Sequence, residues 1–277
     1  MKTIKGIIPP MITPLKGDDQ IDREGTVRLT EHILAGGVHA LFLLGTTGEA
    51  QSLSYECRYD FVELVCRQVA GRVPVLVGVT DTSLDESVKL AAHAAKCGAV
   101  AVVAAAPYYF APSQQELIEY YTALADALPL PLYLYNMPSH VKVFLEPATV
   151  KTLAEHPNIV GLKDSSANMT YFQTLLYHLG DNPDFSLYVG PEELTGECVL
   201  LGADGGVNGG ANIFPELYVA MYDAACAHDI ARVREIQRRI MQISTSVYTV
   251  GKYGSSYLKG VKCALSLLGV CDDYLSY

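Results

Sequence analysis

The sequence predicts an α/β protein, a (β/α)8 TIM barrel with a C-terminal helical extension. Three observations carry that prediction. Eight short apolar runs recur along the chain, at intervals of roughly thirty residues, the length of a strand–helix unit. Most of the runs are continuously apolar rather than alternating, as parallel strands buried on both faces should be. The length of 277 residues suits one barrel domain. A doubly wound sheet is the rival architecture, and the even spacing and the count of eight favour the barrel.

The predicted strands are 6–13 (GIIPPMIT), 40–45 (ALFLLG), 73–80 (VPVLVGVT), 99–106 (AVAVVAAA), 131–136 (PLYLYN), 158–163 (NIVGLK), 185–190 (FSLYVG) and the glycine-rich 204–210 (DGGVNGG). Helical patterns lie between them. Residues 22–36 start at Asp22 and end near Gly36-Gly37, and residues 54–70 start at Ser54 as N-cap. Residues 83–97 open with SLDE and close before Gly98. Residues 113–128 open with SQQE, a capping box, and stop before Pro129. Helices at 146–156, 168–180, 191–201 and 214–228 complete the set. Beyond 228 the alternation ends, and helices at 230–250 and 255–269 follow with no strand between them. The predicted organisation is a barrel over 1–228 with helices of 229–277 packed on it, one structural unit. There is no linker or low-complexity tract.

Composition narrows the function classes. Half of the residues are hydrophobic, enough for a large core. The net charge of −10 argues against general binding to nucleic acid or to an anionic membrane. Seven cysteines are scattered without a CxxC pair. Their odd number predicts reduced, mostly buried thiols and hence a cytoplasmic protein. The start, MKTIKGIIPPMITPL, is interrupted by Pro9 and Pro10 and lacks a small-residue cleavage site, so no signal peptide is expected. The most apolar stretch, GAVAVVAAAPYYFAP, is too short to span a bilayer.

Barrel sites form at the C-terminal ends of strands. Here those ends carry Gly45-Thr46-Thr47-Gly48-Glu49, Pro107-Tyr108-Tyr109, Tyr135-Asn136, Lys163-Asp164, and Gly190 with Glu192-Glu193 beyond it. A lysine seldom ends an apolar strand without a reason. Partial desolvation would free the Lys163 amine to attack a ketone and form a Schiff base. A structural lysine paired with Asp164 or a loop carbonyl is the open alternative. Tyr135, one strand away, offers a phenol as acid or base, or is simply a core tyrosine. The GTTGE turn offers hydroxyls and amides for a carboxylate, or is an ordinary turn. The glycines of 202–212 suggest either a phosphate site or close backbone packing. No GxGxxG, GxxxxGK[ST] or HExxH occurs, and the histidines are dispersed. Dinucleotide, P-loop and metal chemistry are therefore not expected.

GTTGEA, PYY, LYNMPS, GLKDSS and GADGGV occur in this order and at matching separations. The combination resembles the dihydrodipicolinate synthase and N-acetylneuraminate lyase family of pyruvate-dependent class I aldolases, over nearly the whole chain. The resemblance implies a lyase that joins or splits pyruvate and an aldehyde with no metal and no cofactor beyond the covalent imine. It implies Lys163 as the Schiff-base lysine and Tyr135 as the general acid/base that orients substrate. Thr46 and Thr47 would bind the 2-oxo acid carboxylate and relay protons, and Tyr109 would complete the relay from a neighbouring subunit. Val207 takes the position whose backbone carbonyl lines the pyruvate pocket, beside Gly190. The family's usual assembly implies a homotetramer, a dimer of dimers.

The chain departs from the synthases in one telling place. Their YNxPSR supplies an arginine that grips a carboxylate, whereas this chain reads YNMPSH, with His140, followed by Val141-Lys142. It also ends soon after Tyr274, sooner than typical members, which suggests a missing C-terminal segment. Glu192 and Glu193 fall where the sialic-acid lyases of the family place acids that hydrogen-bond sugar hydroxyls, or they simply start a helix, where acids favour the N-terminal dipole. The expected substrate is therefore a 2-keto-3-deoxy sugar acid or a related hydroxylated 2-oxo acid. The alternatives are 4-hydroxy-tetrahydrodipicolinate synthase, N-acetylneuraminate lyase, and a non-enzymatic barrel that binds a sugar acid.

Overall fold

The computed structural model describes residues 4–275. In chain order the strands and helices begin with β1 (Gly6–Ile7), a two-stranded hairpin of β2 (Leu15–Gly17) and β3 (Gln20–Ile21), α1 (Arg23–Ala35) and β4 (Leu41–Leu43). They continue through α2 (Tyr55–Val69), β5 (Val75–Gly78), α3 (Leu84–Lys96), β6 (Ala101–Ala105), α4 (Gln114–Ala127) and β7 (Leu132–Asn136). Next come α5 (Pro138–Val141), α6 (Pro147–Leu153), β8 (Ile159–Asp164), α7 (Met169–Leu179) and β9 (Ser186–Val189). The chain closes with α8 (Thr195–Leu200), β10 (Gly205–Gly206), α9 (Pro215–Cys226), α10 (Ile230–Ser246) and α11 (Ser256–Leu267).

Eight strands make one parallel sheet in the order β1-β10-β9-β8-β7-β6-β5-β4. They match the eight apolar runs of the sequence. The chain just past β1 also meets the opposite edge, because Pro10 bridges Phe42 in parallel. There the Phe42 amide donates to the Pro9 carbonyl at 3.0 Å and the Met11 amide donates to the Phe42 carbonyl at 2.8 Å. The regular part of β1 is short because Pro9 and Pro10 have no N–H to give to a ladder. β4 to β7 are buried along their whole length, which is why their sequences do not alternate.

Side-chain caps set the helix starts. Asp22, Ser54 and Ser83 accept from the amides of Gly25, Cys57 and Glu86, and Ser113 with Glu116 forms the full capping box. Three predicted helices are markedly shorter than their patterns. The 146–156 segment gives only α6, which ends at Leu153. The 191–201 segment divides into a 3-10 turn, Glu192–Leu194, and α8. The 230–250 segment leaves the α-helix at Ser246 for a 3-10 turn, Val247–Thr249. The hairpin and α5 were not foreseen, since runs of two to four residues carry no period.

The last helices share the core. Ile236 and Ile240 of α10 pack with Ile7, Tyr218 and Met221. Val261 and Leu265 of α11 belong to the main cluster with the strand residues. All seven cysteines are free, and four of them, Cys57, Cys66, Cys198 and Cys271, are buried, as expected of core thiols.

Candidate active site

Tyr135, Lys163 and Tyr188 stand side by side across β7, β8 and β9. Side chains alternate along a strand, so Lys163 and Asp164 face opposite ways. The Asp164 carboxylate turns outward and accepts from Asn136 Nδ2 at 2.8 Å, Ser166 N at 3.1 Å and Ser166 Oγ at 2.9 Å. Burial raises its pKa, and these three donors oppose the rise. Asp164 is thus committed to the loop and is not the partner of Lys163. The lysine turns inward, 6% exposed. Its Nζ lies 4.2 Å from the centroid of the Tyr135 ring and 5.2 Å from that of Phe42.

The Tyr135 hydroxyl lies 3.3 Å from Thr46 Oγ1 and shares a hydrogen bond with it. Burial alone would push this phenol's pKa up. The Lys163 ammonium, with hydrogen bonds from Thr46, Ser165 and Lys163, outweighs burial and brings it below the ordinary value. Gly190 makes room for this arrangement, since a Cβ there would sit 2.1 Å from Ser165 Oγ.

The threonine turn follows β4 through two left-handed residues, Leu44 and Glu49, each at φ 55. Thr13 Oγ1 pins the turn by donating to the Gly48 carbonyl at 2.8 Å. Glu49 forms a buried ion pair with Lys262 of α11. Thr47 Oγ1 meets a residue that the motifs did not reveal, the hydroxyl of Tyr257 at 3.2 Å.

The far wall carries the two glutamates. Glu192 is 4% exposed, and both of its carboxylate oxygens are taken. Oε1 accepts from Tyr218 and, at 2.6 Å, from Tyr248, and Oε2 accepts from the Gly210 amide at 2.8 Å. Burial raises its pKa against these hydrogen bonds. Its carboxylate is therefore held by three donors of the protein, and both Glu192 and Glu193 border the cavity. The glycine-rich stretch is explained in the same place. A Cβ at Gly210 would lie 1.9 Å from the Tyr218 hydroxyl, and one at Gly209 would lie 1.6 Å from the Tyr257 hydroxyl. Tyrosine hydroxyls fill the space beside these two glycines.

Lys163, Tyr135, Thr46, Thr47, Gly190, Glu192, Glu193, Val207 and His140 all border one cavity of about 370 Å³. A smaller cavity of about 200 Å³ is also lined by Thr46 and Tyr135, together with Tyr108. His140 is exposed on the rim of both, with its Nδ1 3.0 Å from Ser139 Oγ. Tyr109 is elsewhere: it is 73% exposed and packs edge-on against Phe110. Ser165, Tyr248 and Tyr257 were missed. Ser165 directly follows the GLKD strand end and was within reach of the sequence. The two tyrosines come from the C-terminal helical region, where nothing local marks them.

A family model described as the dihydrodipicolinate synthetase family matches residues 3–276. A 4-hydroxy-tetrahydrodipicolinate synthase from Hyphomonas neptunium is 37% identical over 269 residues, covering 96% of this chain and 89% of that protein. A probable 2-dehydro-3-deoxy-D-pentonate aldolase, YjhH of Escherichia coli, is 36% identical over 245 residues, covering 88% and 81%. Among solved structures, a dihydrodipicolinate synthase from Bacteroides thetaiotaomicron superposes with a TM-score of 0.97 at 60% identity, covering 100% of this chain and 93% of the other. YagE of Escherichia coli, solved in complex with pyruvate, gives 0.92 at 32% identity, covering 98% and 91%. A buried strand-end lysine faced by a tyrosine and a threonine pair agrees with these likenesses, and the chain belongs to the dihydrodipicolinate synthetase family.

Proposed function

We propose that this chain is a lyase that makes or breaks a carbon–carbon bond beside pyruvate through an imine on Lys163. The observation that carries the reading is the inward-turned Lys163, its Nζ against the Tyr135 ring and Tyr135 hydrogen-bonded to Thr46. The amine adds to the C2 carbonyl of a 2-oxo acid, and the carbinolamine loses water to give an iminium. Tyr135, a phenol whose pKa is drawn down by the lysine, is suited to pass the protons of these steps. In cleavage, a base takes the proton of the C4 hydroxyl and the C3–C4 bond breaks. Its electron pair moves into the iminium, leaving an enamine on Lys163 and a free aldehyde. Protonation at C3 and hydrolysis then release pyruvate and the amine. The iminium is the electron sink, so no metal is required, and activity is expected to persist in EDTA.

The substrate reading is a 2-keto-3-deoxy sugar acid or a related hydroxylated 2-oxo acid. Its support is His140 in place of an arginine, Glu193 at the cavity, and relatives named as deoxy-sugar-acid aldolases. Thr46 and Thr47 are assigned to the 2-oxo acid carboxylate, with Gly190 and the Val207 backbone lining the pyruvate end. A second reading, 4-hydroxy-tetrahydrodipicolinate synthase, is favoured by the names of other relatives. Turnover measured side by side on 2-keto-3-deoxygluconate, N-acetylneuraminate, and pyruvate with aspartate semialdehyde separates the readings. Condensation with the semialdehyde and none with the sugar acids would reverse the order.

The pairing that returns from β4 to residues 9–11 supports a closed (β/α)8 barrel. The shared core supports one structural unit, a barrel of 1–228 carrying the helices of 229–277. The exposed pair Tyr109 and Phe110, 73% and 79% accessible, supports a homotetramer in which Tyr109 serves a neighbouring copy. Free cysteines support a reducing, cytoplasmic location.

A further inference from the structure

The C-terminal helices bring a phenol to the cavity that no strand end supplies. Tyr257, in the first turn of α11, borders the same cavity as Lys163 and lies 3.2 Å from Thr47 Oγ1. Three contacts fix it there. Gly209 leaves the space its hydroxyl occupies. Its ring packs edge-on against Tyr248, centroids 4.8 Å apart, and Tyr248 is itself anchored on Glu192. Farther along the helix, Lys262 is paired with Glu49, two residues beyond Thr47. Helix α11 is thus tied to the threonine turn at two points.

Burial and the nearby Glu192 carboxylate push the Tyr257 phenol above its ordinary pKa, against the Thr47 hydrogen bond. It is therefore an uncharged donor at neutral pH. With Tyr257 donating to Thr47 Oγ1, the threonine's own O–H is left to point at an acceptor in the cavity.

Resting on the reading of Lys163 as the imine-forming residue, we infer that Tyr257 is a positioning residue for the 2-oxo acid. It holds the Thr47 hydroxyl toward the substrate carboxylate while Lys163 condenses with the carbonyl. Tyr257 acts through Thr47, so it governs binding of the acid more than the bond-making steps. The pair lies within one chain and does not wait on a neighbouring copy.

The test is a double-mutant cycle on the full chain. The readout is the pyruvate concentration that half-saturates borohydride trapping, followed by intact mass. Tyr257→Phe keeps the ring and its packing on Tyr248. It is expected to raise the half-saturating concentration about three- to tenfold, the scale of one lost hydrogen bond, and to move the plateau less. Thr47→Val should raise it at least as far, and the double variant no further than Thr47→Val alone. Gly209→Ala, which displaces the hydroxyl without removing it, should act in the same direction and lose its effect in the Tyr257→Phe background. Three results would overturn the inference: an unchanged half-saturation in Tyr257→Phe, effects that multiply in the double variant, or a lowered plateau with half-saturation unmoved. If the unaltered protein forms no adduct at all, the imine reading fails and this inference falls with it. A normal adduct with multiplying effects overturns this inference alone.

Discussion

At the scale of single residues, a charge out of place was the most readable signal. A lysine closing the apolar run NIVGL is costly unless it has work to do, and the structure turns it inward against Tyr135. Tyr135→Phe removes the proposed proton carrier and is expected to lower kcat by about 10²-fold or more, checked on whichever acid the enzyme turns over. The neighbouring glutamates were harder to read, because two identical residues in a row differ in burial. Both border the cavity, but Glu192 is buried and receives three hydrogen bonds, whereas Glu193 is half-buried. Glu192→Gln would set an amide NH2 against donors. It should cost about 1–3 kcal/mol of stability in urea unfolding. Glu193→Gln should leave stability within about 0.5 kcal/mol and instead raise KM for a hydroxylated 2-oxo acid. Equal stability losses in both variants would contradict the division of roles.

At the scale of elements, the strands and helices were legible wherever period and caps agreed. Ser113 and Glu116 announce α4 and close its first turn in the structure as a capping box should. The hairpin of β2 and β3 was invisible because its strands are too short to alternate. The glycine-rich strand was visible, but its purpose was not. The 3-10 turn that follows it, Gly209–Asn212, receives the hydroxyls of Tyr218, Tyr248 and Tyr257 at Gly209 and Gly210. The tie between α11 and the threonine turn rests on Lys262 and Glu49, both buried. Lys262→Ala takes away the buried counter-ion of Glu49 and is expected to cost about 3–5 kcal/mol, measured by denaturant unfolding. A loss below about 1 kcal/mol, the range of an exposed pair, would mean that the tie does not hold the helix in place.

At the scale of the whole molecule, the count of eight strands followed from the spacing and continuity of the apolar runs, and the candidate site was sought where barrel chemistry gathers, at strand ends. The wall from the C-terminal helices did not follow. Thr47 and Tyr257 are 210 residues apart in sequence, and no local pattern encodes that contact. Because α10 and α11 share the core with the strands, one cooperative unfolding transition is expected by both circular dichroism and tyrosine fluorescence. The chain has 18 tyrosines and no tryptophan, so tyrosine emission reports the whole fold. Two separated transitions would mean that the C-terminal helices are an independent unit. The most direct measurement of the central claim is borohydride reduction in the presence of pyruvate, followed by intact mass and peptide mapping. One reduced pyruvyl group per chain, on Lys163 and absent from Lys163→Ala, is the expected result. An adduct on another residue, or the same adduct in Lys163→Ala, would contradict it.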